Sequence, residues 1–103
     1  MHDFNVTTWP HHLEHYNIEV HASNGSVDLF RFTPEQASEL LECIEATLDG
    51  EECSHAYNHR IEHDGRNMFT VLFSISTTFC KAYATNKSKF INLKIKLKGA
   101  LNG

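Results

Sequence analysis

The sequence predicts an α+β domain in which one antiparallel sheet of five or six strands carries a single amphipathic helix on one face. Two stretches alternate apolar and polar residues around turn-forming residues, which is typical of β-hairpins. Between them lies a segment with apolar residues at helical spacing. A chain of 103 residues is long enough for one core and too short for two, so we expect one domain over residues 1–103, ordered β-β-α-β-β-(β)-β.

The first hairpin is predicted by the stretch "YNIEVHASNGSVDLFRFT". Its centre is Asn24-Gly25, the dipeptide favoured in two-residue type I′ turns. That turn would pair Val20 with Leu29 on one face of the hairpin. It would also set His21 opposite Asp28 on the other face, where the two form a cross-strand charge pair.

The helix follows directly. Thr33 is a good N-cap, Pro34 suits the first helical position, and Gln36 can complete a capping box. Gly50 supplies the left-handed residue that commonly follows a helix, so we expect the helix to end near Asp49. Its apolar stripe comprises Ala37, Leu40, Leu41, Ile44 and Leu48.

Charge is distributed unevenly along the chain, although the net charge is only -4. All thirteen acidic residues lie at or before Asp64, whereas seven of the nine basic residues follow it. The helix face opposite the apolar stripe, together with the residues just after the helix, is acidic: Glu35, Glu39, Glu42, Glu45, Asp49, Glu51 and Glu52. The sequence therefore predicts two surfaces of opposite sign.

One stretch, "SVDLFRFTPEQASELLECIEA", resembles the strand, TPEQA-type cap and amphipathic helix of small bacterial and phage accessory proteins. The resemblance covers about a fifth of the chain. It implies an architecture and, at most, a genomic context.

The segment "CSHAYNHRIEHDG" is the strongest candidate for metal chemistry. In a helix, His55 and His59 would lie one turn apart and could share a zinc ion. In a strand, residues four apart are separated by roughly 13 Å and cannot chelate together. The alternation of the segment favours a strand with Cys53, His55, Tyr57, His59 and Ile61 on one face. We therefore predict that the imidazoles line an aromatic core, with no metal or other cofactor. A cross-strand site using Cys53, His55 and a third ligand is the alternative.

The following segment, "NMFTVLFSIST", alternates as well and completes a second hairpin. A three-residue loop, His63-Asp64-Gly65, would set His59 opposite Phe69 and Tyr57 opposite Val71.

The C-terminal part predicts a strand around Phe79–Tyr83, a turn at "TNKS" and a last strand, "KFINLKIKLK". In that strand the apolar face would hold Ile91, Leu93, Ile95 and Leu97. The lysines of this half, with Tyr83 and Phe90 as stacking partners, give an alternative function as a nucleic-acid-binding domain. They are Lys81, Lys87, Lys89, Lys94, Lys96 and Lys98.

Enzymatic function has less support. No nucleophile motif or phosphate-binding glycine loop is present, so we predict no catalytic residues. A helical turn starting at Pro10 would align His11 with His15, but two ligands do not make a zinc site. A small His-dependent or metal-dependent enzyme using His55, His59 or Asp64 is a further alternative.

Cellular context follows from the cysteines and the apolar runs. Cys43, Cys53 and Cys80 are odd in number and scattered, which favours reduced thiols and a cytoplasmic location. No apolar run approaches the ~20 residues of a membrane span, so we expect no membrane partner. The sequence leaves the oligomeric state open.

These patterns favour a non-enzymatic, macromolecule-binding module. We expect its acidic helix face to occupy the basic surface of a protein or nucleoprotein partner and thereby to inhibit or regulate it, because complementary charge speeds association. In general character such a module is similar to phage inhibitors of host nucleases or defence complexes, including anti-CRISPR proteins.

Overall fold

A computed structural model describes residues 1–9, 12–51, 58–64, 67–76 and 78–102. The chain alternates three strands and a helix, twice. Its elements are β1 (Asp3–Trp9), β2 (His12–His21), β3 (Val27–Phe32), α1 (Pro34–Leu48), β4 (His59–His63), β5 (Met68–Ser76), β6 (Phe79–Asn86) and α2 (Lys87–Asn102).

The strands form two antiparallel sheets, with strand orders β1-β2-β3 and β4-β5-β6. Both sheets and both helices contribute side chains to one hydrophobic core. The predicted α+β class and antiparallel pairing are confirmed. The prediction of a single sheet with one helix is wrong, because the strands divide into two sheets and the last predicted strand is a helix.

Helix α1 forms where the sequence predicts it. The Gln36 N–H donates to Thr33 Oγ1 over 3.2 Å, and the Gln36 side chain accepts from the Thr33 N–H over 3.0 Å, which completes the capping box. Gly50 adopts a φ of 81°, in the left-handed region that favours glycine. Buried residues of the apolar stripe are Ala37, Leu40 and Ile44, with Leu41 and Leu48 partly buried.

The first hairpin forms with a register one residue away from the prediction. Its loop has three residues rather than two, because the Ala22 N–H donates to Ser26 O over 2.9 Å and Gly25 takes a φ of 90°. Val20 consequently faces Asp28 rather than Leu29. A one-residue shift exchanges the two faces of a strand. Strand β3 therefore turns Phe32 into the core and leaves Leu29 57% exposed.

The second hairpin is shifted by four residues from its predicted register. His59 lies opposite Phe73 rather than Phe69, and His63 belongs to β4 instead of the loop. An even shift keeps the same residues on each face, so Ile61, Phe69 and Phe73 are buried as the alternation predicts. The predicted positions of Cys53, His55, Tyr57 and Gly65 lie outside the described residues.

The last segment is a helix, which corrects the predicted turn at "TNKS" and the strand after it. The Asn86 side chain accepts a hydrogen bond from the Lys89 N–H over 2.9 Å and so caps the start of α2. Phe90, Leu93 and Leu97 are fully buried, at spacings of three and four residues. Ile95, which a strand would bury beside Leu93, is 59% exposed.

Strand β1 was not predicted, and it lies between the two halves of the molecule. It pairs with β2 from Asp3 to Trp9, so His15 lies on an extended strand and the predicted helical turn around it is wrong. On the α2 side, Lys96 Nζ donates to Phe4 O over 2.9 Å. On the β6 side, Thr85 Oγ1 donates to the O of His2, just before β1, over 3.0 Å.

Aromatic side chains join the two sheets. The Phe30 ring of β3 lies 4.8 Å from that of Phe73 on β5 and 5.8 Å from that of Tyr83 on β6, measured between centroids. Phe32 meets Phe73 edge to face at 5.5 Å. These pairs contribute about 0.5–1.5 kcal/mol each beyond their buried area, so they stabilise the packing of β3 against the second sheet.

Substitutions in α2 distinguish the helix from the predicted strand. We expect Leu93→Ala to lower the free energy of unfolding by about 2–5 kcal/mol, because it leaves a cavity in the core. We expect Ile95→Ala to change it by less than about 0.5 kcal/mol, because Ile95 faces solvent. Urea unfolding followed by circular dichroism measures both, and equal losses at the two positions would contradict the helix.

Candidate partner-binding surfaces

The predicted acidic face is exposed on α1. Glu35, Glu39 and Glu42 are exposed, Glu45 is half-buried, and Asp49 and Glu51 extend the row past the helix end. We call these six residues the acidic ridge; Glu52, also predicted to belong to it, lies outside the described residues. Within the described part of the chain, none of the six carboxylates forms an ion pair.

The acidic ridge opposes the stability of its own helix, except for Glu35, whose carboxylate lies in the first turn near the positive pole of the helix dipole. Neighbouring carboxylates three or four positions apart, such as Glu35 with Glu39 or Glu45 with Asp49, repel each other at a cost of roughly 0.2–0.5 kcal/mol per pair. The last turn of α1 carries no basic residue, so the carboxylates at that end face the negative pole of the helix dipole. The requirements of the fold therefore do not account for the charge of the ridge.

The lysines of the second half do not form the single row that a strand would give. Lys81 Nζ lies 2.6 Å from Asp28 Oδ2, Lys89 Nζ lies 2.9 Å from Asp3 Oδ1, and Lys96 donates to the backbone of β1. One face of α2 carries Lys87, Lys94 and Lys98, because these residues are about two turns and one turn apart along the helix. The opposite face carries Lys89 and Lys96. The nucleic-acid hypothesis thus depends mainly on these three lysines.

His59 lines the core instead of lying at an open site. It is 3% exposed, and its ring stacks on that of Phe32 at 6.3 Å. Its Nδ1–H donates to Asn58 Oδ1 over 3.0 Å, and its Nε2 is buried with no hydrogen-bond partner. Desolvation lowers the pKa of His59 to about 4, so the ring is neutral at physiological pH.

Among the described residues, no three His, Cys, Asp or Glu side chains come together in a group that could hold a metal ion. His63, the next histidine of β4, stacks on Phe69 with ring centroids 4.3 Å apart. Cys43, buried on α1, is disulfide-bonded, whereas Cys80 is free and exposed. The expectation of reduced thiols is therefore wrong for Cys43. The cysteines consequently no longer support a cytoplasmic location.

A cleft of about 500 Å³ opens between β3 and the second sheet, in a place that the sequence patterns did not indicate. One wall consists of residues 28–32 of β3, with Gln36 of α1 beside them. The opposite wall consists of residues 74–76 of β5 with Asn58, whose backbone O accepts from the Ser74 N–H over 3.0 Å. Lys81 and Tyr83 of β6 complete the lining.

A polar cluster at this cleft joins β3 to β6. Asp28 Oδ2 accepts hydrogen bonds from Lys81 Nζ at 2.6 Å and from the Tyr83 hydroxyl at 2.7 Å. The hydrogen bond from Lys81, followed by that from Tyr83, lowers the pKa of Asp28. Burial, and then the bond to Asp28, raises the pKa of Tyr83, so its hydroxyl stays protonated as the donor. The one-residue register shift creates this cluster, because it turns Asp28 away from the face where His21 was expected to meet it.

Comparison of the chain with protein-family models, curated proteins and solved structures gave no match. The resemblance to small phage and bacterial accessory proteins accordingly stays a hypothesis. In the part of the chain that the structure describes, neither helix combines the length and apolar character that crossing a bilayer requires.

The buried imidazole of His59 predicts a loss of stability in acid. Its pKa is about 4 in the folded chain and about 6.5 when unfolded. Between these values the unfolded state binds more protons, so stability falls as the pH is lowered. We expect His59 to account for a decrease of about 2 kcal/mol in the free energy of unfolding between pH 7 and pH 5.

Urea titrations of the wild type and His59→Phe at several pH values measure this contribution. The variant should show a correspondingly flatter pH dependence. Leu97→Ala, a core substitution on α2 that removes no titratable group, serves as the control and should keep the wild-type slope. Parallel slopes for the wild type and His59→Phe would show that His59 does not titrate as its burial requires.

Proposed function

We propose that this chain is a non-enzymatic binding module whose acidic ridge docks on a basic surface of a protein or nucleoprotein partner. The observation that carries the proposal is the row of exposed carboxylates on α1 with no ion pairs among the described residues. Neighbouring carboxylates of the acidic ridge repel each other, and docking on a basic surface would offset this repulsion by attraction to the cations of the partner. A partner surface of this kind is commonly a groove for nucleic acid, so occupying it would inhibit or regulate that partner.

The geometry of α1 suits such a contact. The helix is fifteen residues long, or about 22 Å at 1.5 Å per residue, and its ridge follows one side for that whole length. The opposite side is anchored in the core through Leu40 and Ile44. The carboxylates are therefore displayed on a rigid element, which lowers the entropy lost on binding.

Charge reversal within the acidic ridge tests the proposal. Glu39→Lys combined with Glu42→Lys should abolish partner capture because it removes two attractive charges and adds two repulsive ones. The same change should leave the melting temperature equal or slightly higher, since it replaces like-charge neighbours on α1 by attractive ones. Loss of binding would thus be separated from loss of folding.

The measurement is affinity capture by the full chain from a lysate of the source organism, with and without nuclease, followed by binding assays with the purified partner. Glu62→Lys combined with Asp64→Lys alters net charge equally at exposed positions off the ridge and should keep capture. Capture unchanged by reversal of the ridge would rule this surface out. Capture that nuclease abolishes, and that Lys94→Glu with Lys98→Glu weakens, would instead support the nucleic-acid alternative.

A further inference from the structure

Helix α2 has a basic face whose charges the fold does not neutralise. Three lysines share this face because they are about two turns and one turn apart, and we call Lys87, Lys94 and Lys98 the basic row. Lys87 and Lys98 are exposed, and Lys94 is half-buried. Within the described part of the chain, none of the three forms an ion pair. Their charges are therefore available to a second molecule.

An exposed aliphatic side chain lies beside the basic row. Ile95 directly follows Lys94 and is 59% exposed. Burying an isoleucine against a protein surface removes apolar area from water, whereas nucleic acid is bound mainly through its phosphates. Lysines beside an exposed isoleucine therefore favour an acidic protein surface as the occupant of this face.

The acidic ridge of α1 matches the basic row in spacing. Glu35, Glu42 and Glu45 are separated by seven and three positions, and the lysines of the basic row by seven and four. Each set therefore advances about 10 Å and then about 5 Å along its helix axis, at 1.5 Å per residue. Asp49, Glu42 and Glu39 repeat the same steps in the reverse direction. An acidic ridge and a basic row can thus form three ion pairs along one contact between two helices.

These two complementary faces do not neutralise each other within one chain. Helix α1 packs against α2, yet among the described residues no lysine of α2 pairs with a carboxylate of the acidic ridge. Two-fold symmetry between two copies would use both faces of each copy, because a contact from α1 of the first to α2 of the second is repeated in reverse. The adjacency of the two helices places both contacts in one interface.

We propose that two copies of this chain associate through these faces, with the acidic ridge of each copy docked on the basic row of the other. Exposed ion pairs contribute little individually, so the dimer is weak and forms at high protein concentration and low ionic strength. In the dimer both acidic ridges are covered, and self-association therefore competes with capture of another partner. This consequence for regulation rests on the proposed function, whereas the dimer itself does not.

Sedimentation equilibrium of the purified full chain tests the proposal. We expect a monomer–dimer equilibrium at an ionic strength of about 0.01 M that weakens towards about 0.15 M, because the Debye length falls from ~30 Å to ~8 Å. Reversal of the ridge by Glu39→Lys with Glu42→Lys should raise the Kd of the dimer by about tenfold or more, since like charges then meet. Glu62→Lys with Asp64→Lys changes net charge equally at exposed positions off both faces and should not weaken the dimer.

Mixing two reversed variants gives the sharpest result. Lys94→Glu with Lys98→Glu reverses the basic row and should also raise the Kd by about tenfold or more. The ridge-reversed chain then has two basic faces and the row-reversed chain two acidic faces, so each variant repels its own kind. Together they should form a heterodimer with a Kd close to that of the wild-type dimer, because opposite charges meet again in both contacts. Misfolded variants would not recover in this way.

Several results would overturn the proposal. They are a wild-type chain that stays monomeric up to ~1 mM at low ionic strength, a dimer that neither reversal weakens, and reversed variants that stay monomeric when mixed. A monomer that binds a labelled oligonucleotide through Lys94 and Lys98 would also overturn it and make nucleic acid the occupant of the basic row.

Partner capture separates this proposal from the proposed function. The row-reversed chain keeps its acidic ridge, so it should capture a ridge-dependent partner at least as well as the wild type does, whether or not the wild type dimerises. A dimer without any captured partner would contradict the proposed function alone. Ridge-dependent capture by a chain that never dimerises would contradict the dimer alone.

Discussion

Burial of the Phe30 and Phe32 rings against Phe73 is the constraint on which the arrangement of the two sheets depends. A strand of six residues such as β3 can turn only one set of alternate side chains inward. The choice lies between the aromatic pair and the aliphatic pair Val27 and Leu29, and aromatic rings bury more apolar area. The loop of the first hairpin accommodates this choice by having three residues instead of two. The contacts of β3 with its neighbours follow from it.

The Asp28 cluster and the cleft are both consequences of the same register. With Phe30 inward, Asp28 also points inward and reaches Tyr83 and Lys81 on the second sheet. With Leu29 outward, its apolar side chain lines the cleft together with Ile75 of the second sheet. A register shifted by one residue would remove the bridge between the sheets and the apolar wall of the cleft together. The stability of the sheet packing and the shape of the cleft therefore have one origin.

Features with local causes were predictable from sequence, and features set by distant contacts were not. The bounds of α1 and its acidic ridge depend on Thr33, Gln36 and residue spacing within one helix, so the sequence predicted them. The segment of α2 fits periods of both 2 and 3.6, and only the cap at Asn86 and the position of Phe90 favoured the helix. The faces of β4 and β5 followed from alternation, whereas their register depended on the position of the turn, which lies two residues later than expected because the Asp64 N–H bonds to Met68 O. The cleft combines residues 28–32 with residues 74–76, Lys81 and Tyr83, and no local pattern indicates that these segments meet.

The ion pairs show which acidic residues the fold neutralises and which it leaves available. The basic second half supplies Lys89 to Asp3 of β1 and Lys81 to Asp28 of β3, so strands of the first sheet receive cations from α2 and β6. Within the described chain no lysine or arginine pairs with the acidic ridge, even though α2 packs against α1. Lys89 and Lys96 face β1, and the other lysines of α2 lie on its opposite side. A fold that compensates the acids of its strands and not those of its helix keeps an attractive potential for cations of another molecule, because unpaired carboxylates in a row add their fields along the helix.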